Sequence, residues 1–404
     1  MSGTVKKPTS LQQPLVLPLS RDDVLAMPAA YHDILSTGEI VQVVTPSGDN
    51  GWLVSRFEHI RHLLAGDSLS RSHPDPQNAP RYSGDVFAAP VGKHETYHED
   101  HARIRRVLTR AFTAKRMRAL TPKIQGIADE LIDRFSEHER PADFRQHFAL
   151  PMPAEVISEL LGVPEDARPD LMRWSDAAQA TDDFDGAIAA LVKINSVFVE
   201  MVKQKRRRPA DDILSELVQA HDEGGRLTDE ELIRIAHTLL FSGFTSSVAR
   251  IEFGTVLLLA NPETRDAFIA DPGLAPQITE EVLRIAMPSM GAVPRWAVHD
   301  FGLAGKHIKA GDLVLLGHEI ANHDPAAFPD PERFDIRRTG NTHLAFGYGN
   351  YFCVGAVLSR LELHIALRSA FSRLPALRLA VDRTELRLRE RSLIGGFETL
   401  PVAW

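Results

Sequence analysis

Cysteine is almost absent: Cys353 is the only one in 404 residues. A lone thiol excludes an internal disulfide, and its scarcity fits a reducing compartment. Long apolar runs are also missing, since none approaches the roughly 18–20 residues that span a bilayer. The start, Met1-Ser-Gly-Thr-Val-Lys-Lys-Pro, has basic residues but no apolar core for a signal peptide. There is no basic surplus either: 46 Lys and Arg face 54 Asp and Glu, for a net charge of −8. That balance favours solubility and argues against general nucleic-acid binding. Internal repeats and low-complexity tracts are lacking. We expect a cytoplasmic monomer, with neither membrane nor nucleic acid as partner, behind a disordered leader over residues 1–15.

At 44.8 kDa the chain allows two subdomains or one large α-rich domain. Its 44% hydrophobic content suffices for a sizeable core. The first hundred residues mix short segments. Ile40-Val-Gln-Val-Val and Trp52-Leu-Val-Ser read as strands around the turn Ser47-Gly-Asp-Asn-Gly. From His101 to about Phe268 the pattern is mostly helical. Thr121-Pro122 marks a helix start, and Arg206-Arg-Arg-Pro209 ends another helix. Thr228-Asp-Glu-Glu231 resembles a capping box for a long apolar helix over 229–259, which stops at Asn261-Pro262. Apolar residues on most faces predict burial. Its middle, Phe241-Ser-Gly-Phe-Thr-Ser-Ser247, reads as a break, because glycine and clustered hydroxyls are poor interior helix formers. Such a break is either functional or a close-packing site. Leu303 to Val314 reads as hairpins, and the tail beyond Leu386 adds β character.

The cysteine sits in Phe346-Gly-Tyr-Gly-Asn-Tyr-Phe-Cys353-Val-Gly355, ahead of the helix-compatible Ala356-Val-Leu-Ser-Arg-Leu-Glu-Leu. It could be an inert core thiol, a nucleophile or a metal ligand. Glycines let a backbone approach something closely. A helix that begins at a thiolate turns its free N–H groups toward the sulfur and lowers the thiol pKa. A single axial thiolate is what one class of haem iron requires. A cysteine hydrolase would need a histidine placed as base, and none of the seventeen histidines lies in a recognisable nucleophile motif.

Together these features resemble the cytochrome P-450 superfamily of haem-thiolate oxygenases in its soluble bacterial form, from about residue 20 onward. Phe346-x-x-Gly349-x-x-x-Cys353-x-Gly355 matches the family's haem-binding signature. The resemblance implies Cys353 as axial ligand of haem b, with Phe346 and Gly355 shaping the loop. Glu281-Val-Leu-Arg284 matches the family's Glu-x-x-Arg helix, which Arg333 in Pro331-Glu-Arg-Phe334 would complete as a buried structural network. His101 and Arg105 resemble the His-x-x-x-Arg pair that contacts a haem propionate, their i, i+4 spacing sharing one helix face. Arg295 and His343 are the other propionate candidates.

The implied fold class is mainly α with a smaller β part: a long central helix over the haem and the cysteine loop beneath it. A single catalytic domain would span 16–404, with β-rich segments about 38–60, 291–320 and 376–404. The helical body would cover about 95–290 and 354–372. O2 is the implied co-substrate, and ferredoxin with ferredoxin reductase the implied electron source. Arg103, Arg106, Arg110, Lys115 and Arg116 form a cationic run that suits an acidic ferredoxin.

Two departures stand out. Tyr351 occupies the position two before the cysteine, where the family usually has histidine or arginine; a phenol can still hydrogen-bond a carboxylate. The family's Ala-Gly-x-Asp/Glu-Thr segment reads Ser242-Gly243-Phe244-Thr245-Ser246. Gly243 would leave room for dioxygen, but the acid of the proton relay is replaced by Thr245, beside the alcohol Ser246. A hydroxyl whose pKa lies far from 7 is a poor proton source by itself. Either water supplies the relay, while the hydroxyls bond back to helix carbonyls, or the substrate assists.

The resemblance places Phe87, Phe244, Met290, Ala292, Val293 and Ile394 around the substrate, and Gly395-Gly396 would leave room near the haem edge. This mostly apolar set suits a small-to-medium hydrophobic or aromatic molecule from secondary metabolism. Hydroxylation is the first expectation. Oxidative C–C, C–N or C–O coupling or cyclisation of an aromatic or cyclic-dipeptide-like product is the alternative, and a non-catalytic haem-binding protein is the remote one.

Overall fold

A computed structural model describes residues 14–84, 88–179, 183–224, 228–288, 292–389 and 394–404. Its helices are α1 (Ala29–Thr37), α2 (Phe57–Ala65), α3 (Tyr97–Ala111), α4 (Ala114–Ala119), α5 (Thr121–Ser136), α6 (Pro151–Leu161) and α7 (Arg168–Ala177). They continue with α8 (Phe184–Arg207), α9 (Ile213–Gly224), α10 (Asp229–Ala260), α11 (Pro262–Ala270), α12 (Ala275–Ile285), α13 (His318–Ala321) and α14 (Ala356–Arg373). The chain divides into two compact units interleaved in sequence. The first comprises Met1–His98, Ser289–Arg333 and Thr342–Phe352; the second comprises Glu99–Pro288, Phe334–Asn341 and Cys353–Trp404.

The first unit carries most of the β structure. Strands β1 (Leu15–Val16), β2 (Val41–Val44), β3 (Asn50–Val54) and β4 (Leu69–Ser70) come from its leading segment. The expected strand pair forms, with Val41 opposite Leu53 and Val44 opposite Asn50. Along β2, Val41 and Val43 are buried while Gln42 is exposed, the period of a half-buried strand. The expected leader lies outside the described residues up to position 13, but Leu15 does not belong to it. Leu15 and Val16 pair in parallel with Val43 and Val44, because the sheet edge satisfies their backbone groups.

The hairpin expectation for 303–314 holds only in part. Strand β5 (Ala142–Asp143) belongs to the second unit; β6 (Val293–Ala297), β7 (Phe301–Leu303), β8 (Lys306–Ile308) and β9 (Leu313–Leu316) belong to the first. β7 and β8 form a hairpin, whereas β9 joins the large sheet, whose order is β1-β2-β3-β9-β6-β4. All four β9 residues are buried, so an apolar run covered on both faces takes a central place. Phe57, Ile60, Leu63 and Leu64 of α2 pack with Val54, Val314, Leu316 and Leu344 into this unit's core.

The second unit is helical, apart from a small sheet of β10 (Arg378–Leu379), β11 (Pro401–Ala403) and β5. Its axis is α10. Thr228 accepts from the Glu231 N–H at 3.1 Å, and Glu231 accepts from the Thr228 N–H at 2.8 Å. This is the expected capping box, an arrangement that contributes about 1 kcal/mol. The helix is continuous through Phe241–Ser247, so the expected break does not form. Packing overrides propensity: Phe244, Thr245, Ser247, Val248 and Ala249 are all buried. By length and composition α10 is also apolar enough to cross a membrane, with mean hydropathy 1.2 over an 18-residue window. The sequence reading missed this, and the reason for the apolarity is that 61% of that window is buried inside the protein.

Candidate functional site

The cysteine loop is built from backbone requirements first. Gly347 (φ 70°) and Gly349 (φ 60°) both take left-handed conformations that favour glycine. A Cβ on Gly349 would also lie 3.0 Å from the Leu64 carbonyl of α2. Phe346 is buried, its ring 6.0 Å from His343 and 6.2 Å from Phe352. In the second unit the chain resumes at Cys353 and enters α14 through Gly355.

Cys353 is exposed, yet burial raises its thiol pKa. The sulfur is therefore open at contact range and surrounded by protein farther out. Three influences act the other way: a hydrogen bond from the Gly355 N–H, and the charges of Arg105 and Arg360. The sequence reading anticipated the helix-entry N–H, gave Arg105 a propionate instead, and passed over Arg360. His101 and Arg105 are half-buried on α3.

The cationic run is thinner than expected. Arg103 is held by Asp100 at 2.8 Å and Glu231 at 2.5 Å. Arg116 is held by Glu216 and, at 3.7 Å, by Asp211. Arg106, Arg110 and Lys115 remain exposed. Acidic partners, most of them distant in sequence, explain the difference.

On α10 the hydroxyls bond back along the helix. Thr245 donates to the Phe241 carbonyl at 3.2 Å, and Ser246 to the Ser242 carbonyl at 2.9 Å. Between positions 244 and 258 every residue is buried except Ser246, which is half-buried. The expected opening at Gly243 is filled: a Cβ there would lie 2.9 Å from the Ile157 Cδ1 of α6. Gly243 is thus a close-packing glycine. Phe244 is 1% exposed, so its ring packs inside the helical body instead of facing open space. Gly395 and Gly396 leave no room either. A Cβ on Gly395 would meet the Pro288 carbonyl at 2.3 Å, and one on Gly396 the Glu252 carboxylate at 2.4 Å.

Behind the cysteine helix, two members of the expected Glu–Arg–Arg network, Glu281 and Arg284, pair on α12. Glu281 and Arg284 are fully buried on α12 and bidentate, at 2.7 and 2.9 Å. The carboxylate also accepts from the Asp335 N–H at 2.9 Å, Asn341 at 3.1 Å and Arg338 at 3.3 Å. Sequence reasoning missed Arg338 and Asn341, because single polar residues in a loop carry no period. Arg333 lies in the first unit, where its N–H donates to the Asp330 carbonyl at 3.1 Å.

In the first unit, Arg295 on β6 is 8% exposed. Burial lowers its pKa to about 10, with the Arg71 charge adding to the effect. Its guanidinium lies 5.3 Å from the Tyr351 ring centroid and donates to the Pro294 carbonyl at 2.8 Å. The Nε is buried without a hydrogen-bond partner, and no described carboxylate pairs with this cation. Tyr351 therefore offers Arg295 an aromatic face where a second cation would repel it. Burial first, then Tyr97, pushes the phenol up to about 12, and its hydroxyl donates to the Leu69 carbonyl at 3.4 Å.

His343 Nδ1 accepts from the Ala345 N–H at 3.3 Å, which leaves the proton on Nε2. His318, which the sequence reading passed over, is pulled to about 4 by burial and by Arg295, so it is neutral. Val293 is 40% exposed, Ala292 and Ile394 are half-buried, and Phe87 and Met290 lie outside the described residues.

Residues 273–379, from α12 through the cysteine helix, match the cytochrome P450 family model. The mycinamicin IV hydroxylase/epoxidase of Micromonospora griseorubida is 35% identical over 395 residues, covering 97% of this chain and 99% of the relative. The cytochrome P450 monooxygenase PikC of Streptomyces venezuelae is 38% identical, over 93% of this chain and 90% of the relative. The crystal structure of the mycinamicin VIII C21 methyl hydroxylase MycCI from Micromonospora griseorubida superposes with a TM-score of 0.87 at 33% identity, covering 96% of this chain and all of the other. Identity at this level along nearly the whole of both chains means that this protein belongs to the cytochrome P450 family, the haem-thiolate monooxygenases that use O2 as co-substrate.

Proposed function

We propose that Cys353 is the axial thiolate of a haem b, and that the protein hydroxylates a small-to-medium hydrophobic or aromatic molecule of secondary metabolism in the cytoplasm. One observation carries this reading. The chain's single thiol is solvent-reachable at the entry of α14, with the Gly355 N–H on its sulfur and the Arg105 charge near it. The described residues fit the cofactor in a second respect: Arg295 is a buried cation without a carboxylate, the partner that a propionate requires. They also hold no cluster of three His, Cys, Asp or Glu for a free ion, so an iron here would come within a prosthetic group.

When bound, the haem supplies dioxygen activation, which its thiolate favours by donating electron density. The chain's own residues do the rest. The Gly355 N–H and Arg105 offset part of the burial cost of an anionic sulfur. Arg295 and His343 in the first unit, and His101 and Arg105 in the second, are the proposed propionate contacts, the arginines by charge and His343 through its Nε2–H, while the Tyr351 ring supports Arg295. Glu281 and Arg284 brace the helix behind the loop, and the family resemblance gives Arg333 a part in the same network. Ser246 and Thr245 have their protons committed to helix carbonyls, so a delivered proton passes through water held at the half-buried Ser246. Ala292 and Val293 of the first unit and Ile394 of the second are the proposed substrate contacts among the described residues. Exposed Arg106, Arg110 and Lys115 receive a ferredoxin, itself served by ferredoxin reductase.

The test is optical. The reduced, carbon monoxide-bound protein shows the red-shifted Soret band of a thiolate ligand, and Cys353→Ala abolishes it; a surviving band would overturn the assignment. Thr245 in place of an acid favours a second reading, oxidative coupling without oxygen insertion. Product mass separates them, since insertion adds an oxygen atom and coupling removes a pair of hydrogens.

A further inference from the structure

A chain of ionisable side chains, closed through the backbone, holds the turn Ile394–Phe397 at Gly396 and Phe397. Glu252, midway along α10, is wholly buried and pairs with the buried Arg145. Its other oxygen accepts from the Phe397 N–H at 2.9 Å. Arg145 reaches Asp176 of α7 at 3.5 Å, and Asp176 accepts from Arg389 at 2.8 Å. The Arg389 backbone closes the circuit, its N–H donating to the Gly396 carbonyl at 2.9 Å. Leu388 bridges Phe397, whose ring lies 5.0 Å from that of Phe253. Every link lies within the second unit.

An ordinary core closes over a turn with apolar side chains. Four ionisable groups are more than stability requires, because buried pairs seldom exceed what well-packed apolar residues contribute. What they supply is direction. The glycines of the turn are pressed against the Pro288 carbonyl and the Glu252 carboxylate, so neither can shift inward. The ring prevents the turn from lifting away.

We propose that Glu252, Arg145, Asp176 and Arg389 form a positioning ring that fixes the turn Ile394–Phe397 and thereby sets the size of molecule accepted beside it. The inference rests on the reading above, in which Ile394 faces the substrate. The ring members are positioning residues and do not touch the reacting atoms. Asp176 and Arg389 are its weak point: they are the part-exposed members, and neutralising either leaves the Glu252–Arg145 pair intact.

The experiment uses Arg389→Gln and Asp176→Asn in the haem-loaded full chain, with imidazole and 4-phenylimidazole as probes that ligate iron and shift its optical spectrum. Hydrogen exchange at the Phe397 amide is the second readout. Loosening the turn weakens the bulky azole about tenfold, leaves imidazole within about twofold, and speeds exchange at Phe397. Unchanged exchange and unchanged affinities would overturn the inference while leaving the haem reading intact. Equal weakening of both azoles would also overturn it, because the ring would then act on the cofactor site as a whole. If the parent protein shifted with neither azole, the haem reading would fall and this inference with it.

Discussion

Ser247 donates a 2.7 Å hydrogen bond to Glu362, joining α10 to α14 through two buried side chains. No described cation balances that carboxyl, its other oxygen has no hydrogen-bond partner, and burial pushes its pKa up to about 8. The group is neutral at pH 7. A carboxyl whose folded pKa is raised favours the folded state most below its ordinary value of 4.5, and that contribution is lost as pH rises through about 8. Glu362→Gln, which keeps the shape without the proton, therefore flattens the fall in Tm across that window. Thermal melts at several pH values check this; an unchanged slope would mean that Glu362 ionises at no cost.

Gly243 is tied to Ile157 by packing. Gly243→Val destabilises by about 1–3 kcal/mol, as overpacked cores do. Ile157→Ala made in the same chain restores most of the loss, because the side chain in the way is shortened. A double-mutant cycle by denaturant unfolding reads the coupling. Strictly additive losses would show that the glycine answers to something other than α6.

Glu281 keeps Arg284 neutralised where no water reaches. Glu281→Gln leaves that guanidinium buried with its charge unbalanced, a change that typically costs about 3–5 kcal/mol. The variant accumulates with reduced Tm, and haem content falls with it. Full haem occupancy at an unaltered Tm would contradict this role.

Thr245→Asp restores an acid where the family has one. With Thr245 only 6% exposed, the new carboxyl titrates above the ordinary carboxylate range and serves as a proton donor near neutrality. The fraction of electrons ending in oxygenated product, against hydrogen peroxide, rises. A fraction equal to the parent's would show that water alone already supplies protons at the rate required.

Much of this was legible in the chain. The hydroxyl run showed that the acid was missing, the capping box fixed where α10 starts, and the glycines around Cys353 marked a loop with unusual backbone angles. What escaped the sequence are relationships between distant positions. Nothing local about Arg338 or Arg360 distinguishes it from other surface arginines, and Arg103 looks like a free cation until Glu231 is brought beside it. Gly243, Gly395 and Gly396 misled in one direction: a missing side chain was read as space, and in each case a neighbour fills it. Phe244 erred similarly, since a ring on a buried helix can point into the body as easily as toward a ligand.

Glu231 has two duties, accepting from the Thr228 N–H through one oxygen and holding Arg103 through both. The acid that starts the central helix thus also pairs a cation of α3, the helix proposed above to receive a ferredoxin. Electron delivery should then depend on ionic strength less steeply than the arginine content of α3 would imply, because fewer charges remain for salt to screen.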